Sequence, residues 1–254
     1  AKAAGVEIAP IDSEHSAIWQ ALGFDRGAEY EKIILTASGG AFRDKSAAEL
    51  ENVTAAEALR HPNWNMGGRI TIDCATMLNK GFEVIEAMWL YGAKAEQVEV
   101  VVHPQSVIHS MVEMKDGAVL AQLGAPSMEV PIQLALTAPR RLDTACRKLD
   151  FQTLGALTFQ PVEREKYPCF YIALESMKMG DNYPCALNAA DEVAVGEFLG
   201  GNIRFTDIAR VLEKTLERTA RVAVDGEETL VREDKKARAL AKEIISELNG
   251  TSTA

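Results

Sequence analysis

Asp12-Ser13-Glu14 places two carboxylates two positions apart, where an apolar run leads into a helical pattern. Hard divalent cations such as Mg²⁺ and Mn²⁺ take oxygen ligands of this kind. The same residues also suit a plain helix start, with Asp12 as N-cap and Glu14 near the positive helix end. Further along, Asp73-Cys74-Ala75-Thr76-Met77-Leu78-Asn79-Lys80-Gly81-Phe82-Glu83 puts Asn79, Lys80 and Glu83 on one helical face. Asn79 and Lys80 in a first turn suit an anion at a helix N-terminus, and Glu83 could give a cation its third carboxylate. A solvated face with an internal Lys80–Glu83 pair fits the same spacing. Gly81, a poor residue inside a helix, suggests that something needs room there. Ser38-Gly39-Gly40 could let a hydroxyl and backbone N–H groups approach a phosphate, or could be an ordinary turn. His61-Pro62-Asn63-Trp64-Asn65-Met66-Gly67 is non-periodic and could fold as a lid or lie as a surface loop. His109 stands in an apparent strand, where a structural role is the commoner one, and His15 and His103 carry less signal.

The elements that must position these residues form a mixed pattern followed by a helical one. Residues 6–11, 32–36, 70–73 and 98–102 read as strands, and 13–22 and 76–91 as helices. Segments 107–114 and 118–123 flank Lys115-Asp116-Gly117, a hairpin signal. Ser46 with Glu49 and Thr54 with Glu57 have the spacing of capping boxes. Pro126, Pro131, Pro139 and Pro161 punctuate a connecting stretch. Beyond it, four helices are expected over residues 167–179, 185–199, 206–217 (Thr206 as N-cap) and 228–248. The fold class is therefore α+β: a mixed α/β domain with a small sheet at 1–137, in which 38–68 form a mobile lid. A linker at 138–163 then leads to an all-α, four-helix-bundle-like domain at 164–254.

Composition narrows the function classes. A net charge of −10 over 254 residues argues against a nucleic-acid surface. No run approaches the roughly 20 apolar residues of a membrane helix. Cys74, Cys146, Cys169 and Cys185 form no CxxC pair, as expected of reduced thiols in a cytoplasmic protein. There is no GxGxxG and no Walker motif.

Together the strings PIDSEHSAIWQ, LTASGGAF, HPNWNMGG, DCATMLNKGFEVIEA and HPQSVIHSMV resemble those of the 1-deoxy-D-xylulose 5-phosphate reductoisomerase family. LDFQTLGALTF, YPC, ALNAADEVAV and IRFTDI extend the likeness to about residue 220. The resemblance implies a divalent cation (Mn²⁺, Mg²⁺ or Co²⁺) on Asp12, Glu14 and Glu83. It implies a sugar phosphate on Ser38, His61, Asn79 and Lys80, with Cys74 where relatives carry Ser. Ser13 would contact the substrate backbone, Trp64 would close over it, Met66 and Gly67 would lie near NADPH, and His109 would support the site. The implied reaction is a metal-assisted rearrangement followed by hydride reduction, in a dimeric enzyme of the non-mevalonate isoprenoid pathway. Because the first residues already match the end of the family's dinucleotide-binding region, the chain is expected to need that region for the reductive step. A non-reducing metal-dependent sugar-phosphate binder or isomerase is the alternative from another class, and a silent helical interaction module a third.

Overall fold

In the computed structural model, which describes residues 1–25, 27–60, 64 and 66–251, the chain runs through alternating helices and strands before a purely helical end. The elements are α1 (Ser13–Ala21), β1 (Lys32–Ala37), α2 (Ala55–Ala58), α3 (Gly68–Ala75), α4 (Leu78–Tyr91), β2 (Val98–Val102), β3 (Ile108–Glu113) and β4 (Val119–Leu123). They continue with α5 (Glu129–Thr137), β5 (Gln160–Pro161), α6 (Pro168–Met179), α7 (Tyr183–Leu199), α8 (Phe205–Arg218) and α9 (Glu227–Thr251). Two compact units result, each discontinuous in sequence: Ala1–Ser38 with Glu83–Val162, and Gly39–Phe82 with Glu163–Ala254.

The first unit is built on a five-stranded sheet of order β4-β3-β1-β2-β5 among the described residues. β1 is central because Ile33 and Leu35 are fully buried, and it pairs parallel with β2 and antiparallel with β3. β3 and β4 form the expected hairpin, whose turn has Gly117 at φ +86°. α1 packs on β3 and β4 through a face that includes Ala17 and Ile18, both fully buried. Asp12 caps α1, its Oδ1 accepting from Glu14 N at 3.2 Å.

In the second unit α7 is surrounded by α3, α6, α8 and α9. Ala186, Ala189, Ala190 and Ala194 are at most 1 % exposed, and such small side chains let neighbouring helices come close. α8 buries Ile208, Val211, Leu212 and Leu216, the three-to-four spacing of an amphipathic helix. Glu49 and Glu57 accept from the backbone N–H groups of Ser46 and Thr54 at 2.7 and 2.8 Å, so both capping boxes form.

Several local expectations are corrected. Residues 6–11 are not a strand, and Val6, Ile8 and Ile11 are about half exposed. Residues 70–73 lie in α3, not in a strand, because Arg69 and Asp73 face Asp191 of α7 one helical turn apart. The punctuated stretch contains α5, in which Pro131 occupies the first turn, where its missing N–H has no intrahelical acceptor. α8 is capped at Arg204, whose N–H donates to Asp207 Oδ2, while Thr206 Oγ1 donates to Glu51. α9 runs through Asn249 and Gly250. No described helix is long and apolar enough to cross a membrane.

Candidate functional site

α1 and the later turns of α4 bring three carboxylates together in the sheet-containing unit. Asp12, Glu14 and Glu83 each offer an oxygen within 4.8 Å of the other two. Capping and clustering coexist here: Asp12 holds the helix N-terminus, and its carboxylate still reaches the trio. Ser13 Oγ donates to Glu14 Oε2 at 2.5 Å, fixing that side chain. Glu83 is 1 % exposed, so its carboxylate is held within the fold. An all-oxygen set of this kind fits Mg²⁺ or Mn²⁺.

The phosphate candidates gather in the other unit, around the junction of α3 and α4. α3 ends at its cap Thr76, Met77 takes a left-handed conformation (φ +61°), and α4 starts at Leu78. Asn79 and Lys80 thus fall in the first turn of α4, where N–H groups lack intrahelical acceptors. Lys80 is only 4 % exposed. Gly40 (φ +69°) packs against the end of α3, and a Cβ there would lie 2.5 Å from both Ala75 Cα and Cys74 O. Only glycine meets both demands. The Tyr167 hydroxyl donates to Gly39 O at 3.1 Å, and Lys166 Nζ donates to Arg43 O, so both ends of this loop are held. Burial lowers the Lys166 pKa and raises that of Tyr167, which keeps the phenol protonated as a donor.

Gly81 has a different reason from the one its sequence position suggested. A Cβ at Gly81 would come within 2.3 Å of Ala173 Cβ, so the room is taken by α6 rather than by a ligand.

Ser38 follows β1, in the sheet-containing unit. His61 lies outside the described residues, as do Pro62, Asn63 and Asn65. Trp64 and Met66 precede Gly67, which caps α3 and accepts from Thr71 Oγ1 at 2.8 Å. His109 is buried in β3, with its ring beside Gly124. His103 is structural: its Nε2 accepts from Val107 N and Ile108 N at 3.2 Å, and its Nδ1 lies 3.0 Å from Thr158 O.

Sequence reasoning gave His15 little weight and passed over Glu86, Lys166 and Tyr167. His15 is fully buried, and its Nε2 lies 2.9 Å from Glu86 Oε2. Its spacing of three from Asp12 was a usable signal. Lys166 and Tyr167 had none, because their partners are more than a hundred residues away. A buried carboxyl pair was also missed. Asp73 and Asp191 share an environment with Arg69, whose Nη2 is 3.1 Å from Asp191 Oδ2. Burial, then the Asp191 charge, pushes Asp73 up to about 9, and burial raises Asp191 against the pull of Arg69.

Comparison with known proteins places the chain in a family. The family model "1-deoxy-D-xylulose 5-phosphate reductoisomerase C-terminal domain" matches residues 8–91, and "DXP reductoisomerase C-terminal domain" matches 123–240. The 1-deoxy-D-xylulose 5-phosphate reductoisomerase of Pelodictyon phaeoclathratiforme is 52 % identical over 95 % of this chain and 63 % of its own length. That of Geobacillus kaustophilus is 52 % identical over 97 % of this chain and 65 % of its own length. The Zymomonas mobilis enzyme, solved with NADPH, superposes with a TM-score of 0.90 at 42 % identity, covering 96 % of this chain and 63 % of that one. A DOX-P reductoisomerase solved with NADPH, fosmidomycin and magnesium gives 0.90 at 41 %, covering 97 % of this chain and 65 % of that one. The chain thus spans somewhat under two thirds of the length of these relatives, and along that span it belongs to the 1-deoxy-D-xylulose 5-phosphate reductoisomerase family.

Proposed function

We propose that the protein takes part in the reductive isomerisation of 1-deoxy-D-xylulose 5-phosphate to 2-C-methyl-D-erythritol 4-phosphate, a step of the non-mevalonate isoprenoid route. The observation that carries this reading is the convergence of Asp12, Glu14 and Glu83 in a chain of this family. These residues would hold the divalent cation, which supplies Lewis-acid polarisation of a substrate carbonyl during the skeletal rearrangement. NADPH, present in solved relatives, supplies the hydride for the reduction that follows.

The chain's own residues bind and orient. Asn79, Lys80 and the first N–H groups of α4 engage the phosphate, with Cys74, Ser38 and His61 completing its shell. Phosphate binding away from the reacting carbons contributes orientation, which lowers the barrier to rearrangement. Ser13 and Glu14 contact the carbon skeleton, and His109 supports them. Trp64, within the lid 38–68, closes over the substrate and excludes water, and Met66 and Gly67 face the nicotinamide. In this reading residues 1–137 carry metal and substrate binding, 138–163 connect, and 164–254 form the helical support. The protein works in the cytoplasm as a homodimer, which light scattering after size exclusion checks by mass.

The test is NADPH consumption in the full-length protein with Mn²⁺ and 1-deoxy-D-xylulose 5-phosphate. Glu83→Gln is expected to cut kcat by at least ~100-fold. Unchanged turnover in that variant would refute the assignment.

A further inference from the structure

His15 is buried completely, and neither of its ring nitrogens makes a hydrogen bond within the described residues. Its Nε2 lies 2.9 Å from Glu86 Oε2, yet the contact lacks hydrogen-bond geometry, so this nitrogen is aimed at a carboxylate without being used by it. A buried polar group in that state carries a desolvation cost that a ligand would relieve. Asp12 completes the set: donor atoms of Asp12, His15 and Glu86 all lie within 4.8 Å of one another.

The helical spacing explains the arrangement. Asp12 and His15 are three apart at the start of α1, and Glu83 and Glu86 are three apart on α4. Each helix therefore presents two ligands one turn apart, and Asp12 belongs to both candidate groups. One group, Asp12, Glu14 and Glu83, is all oxygen. The other contains an imidazole.

We propose that Asp12, His15 and Glu86 form a second divalent-cation site, sharing Asp12 with the carboxylate trio and taking a borderline transition ion such as Co²⁺ or Zn²⁺. Imidazole favours such ions over Mg²⁺, which prefers oxygen, so the two sites differ in selectivity. Glu86, with 49 % of its side chain exposed, gives the ion a route from solvent. Tyr91 fixes the histidine from behind, its ring 6.1 Å from the imidazole and its hydroxyl donating to His15 O. The shared Asp12 makes this inference rest on the metal reading proposed above, and the test separates the two.

The experiment is Co²⁺ titration of the full chain by calorimetry, with pulsed electron paramagnetic resonance of the bound Co²⁺ to detect a coordinated ¹⁴N. Two Co²⁺ per chain and a nitrogen coupling are expected. Glu86→Gln, at a half-exposed position, should reduce the count to one and abolish the nitrogen signal. Glu83→Gln should also lose one ion but keep that signal. His15→Gln should match Glu86→Gln, with circular dichroism checking that the buried substitution leaves the chain folded. A single Co²⁺ without nitrogen coupling, unaffected by Glu86→Gln but lost in Glu83→Gln, would overturn the second site and leave the first intact. Loss of an ion in Glu86→Gln but not in Glu83→Gln would overturn the trio instead.

Discussion

Cys74 sits at the end of α3 against Gly40, among the groups proposed to hold the phosphate. A thiol is a weaker donor, so Cys74→Ser should tighten sugar-phosphate binding by about 0.5–1 kcal/mol, a few-fold in Kd. Calorimetric titration checks it, and an unchanged or weaker Kd would contradict the role. Tyr167 acts one step removed, through Gly39 O. Tyr167→Phe removes that donor and should raise the Kd for the sugar phosphate several-fold while leaving Mn²⁺ affinity unchanged, a split that general destabilisation would not produce. Part of the residue-scale placement was legible. Asn79, Lys80 and Glu83 stood out because groups three and four apart share one helical face, and Asp12 and Glu14 because two carboxylates open a helix. Tyr167 did not, because burial and a distant carbonyl partner leave no local mark, and His15 was marked only by its spacing from Asp12.

Elements were legible where the pattern is local. β1, β2, the β3–β4 hairpin, both capping boxes and α6 to α8 follow from apolar periodicity and turn residues, to within a few residues. The failures share one cause. Ile70, Thr71 and Ile72 are β-branched and favour a strand, yet contacts of Arg69 and Asp73 with α7 make the segment helical. Residues 6–11 have strand composition but pair with no strand among the described residues. Gly81 shows the same dependence on tertiary context, since its reason is Ala173. Gly81→Ala improves helix propensity by about 1 kcal/mol in isolation. Overpacking against α6 should outweigh that gain, giving net destabilisation of about 1–2 kcal/mol in urea unfolding. A more stable variant would show that α6 can yield.

Over the whole molecule, the division into two discontinuous units could not be read from periodicity, because which elements share a core is a long-range property. The pH response also belongs to this scale. Asp73 is raised to about 9 in the folded state, against about 4 when unfolded. Its stabilising contribution is therefore complete below about pH 4 and is lost progressively as pH rises toward 9. Arg69 and Glu192 face the pair, with Arg69 Nη1 2.6 Å from Glu192, and Arg238 contacts Glu192 in turn. Asp73→Asn keeps a donor toward Asp191 without the second charge. It should flatten the decline and exceed the parent by on the order of 1–3 kcal/mol at pH 9, measured by denaturant unfolding across pH. A parallel decline in both proteins would contradict the raised Asp73 pKa.

The central claim, metal-dependent recognition of a sugar phosphate, is tested most directly by titrating 1-deoxy-D-xylulose 5-phosphate into the chain calorimetrically, with and without Mn²⁺, and repeating this with Glu83→Ala. The account predicts Mn²⁺ binding, sugar-phosphate binding that strengthens when Mn²⁺ is present, and loss of both Mn²⁺ binding and that strengthening in the variant. Sugar-phosphate binding of equal strength without metal, or unaltered by Glu83→Ala, would contradict it.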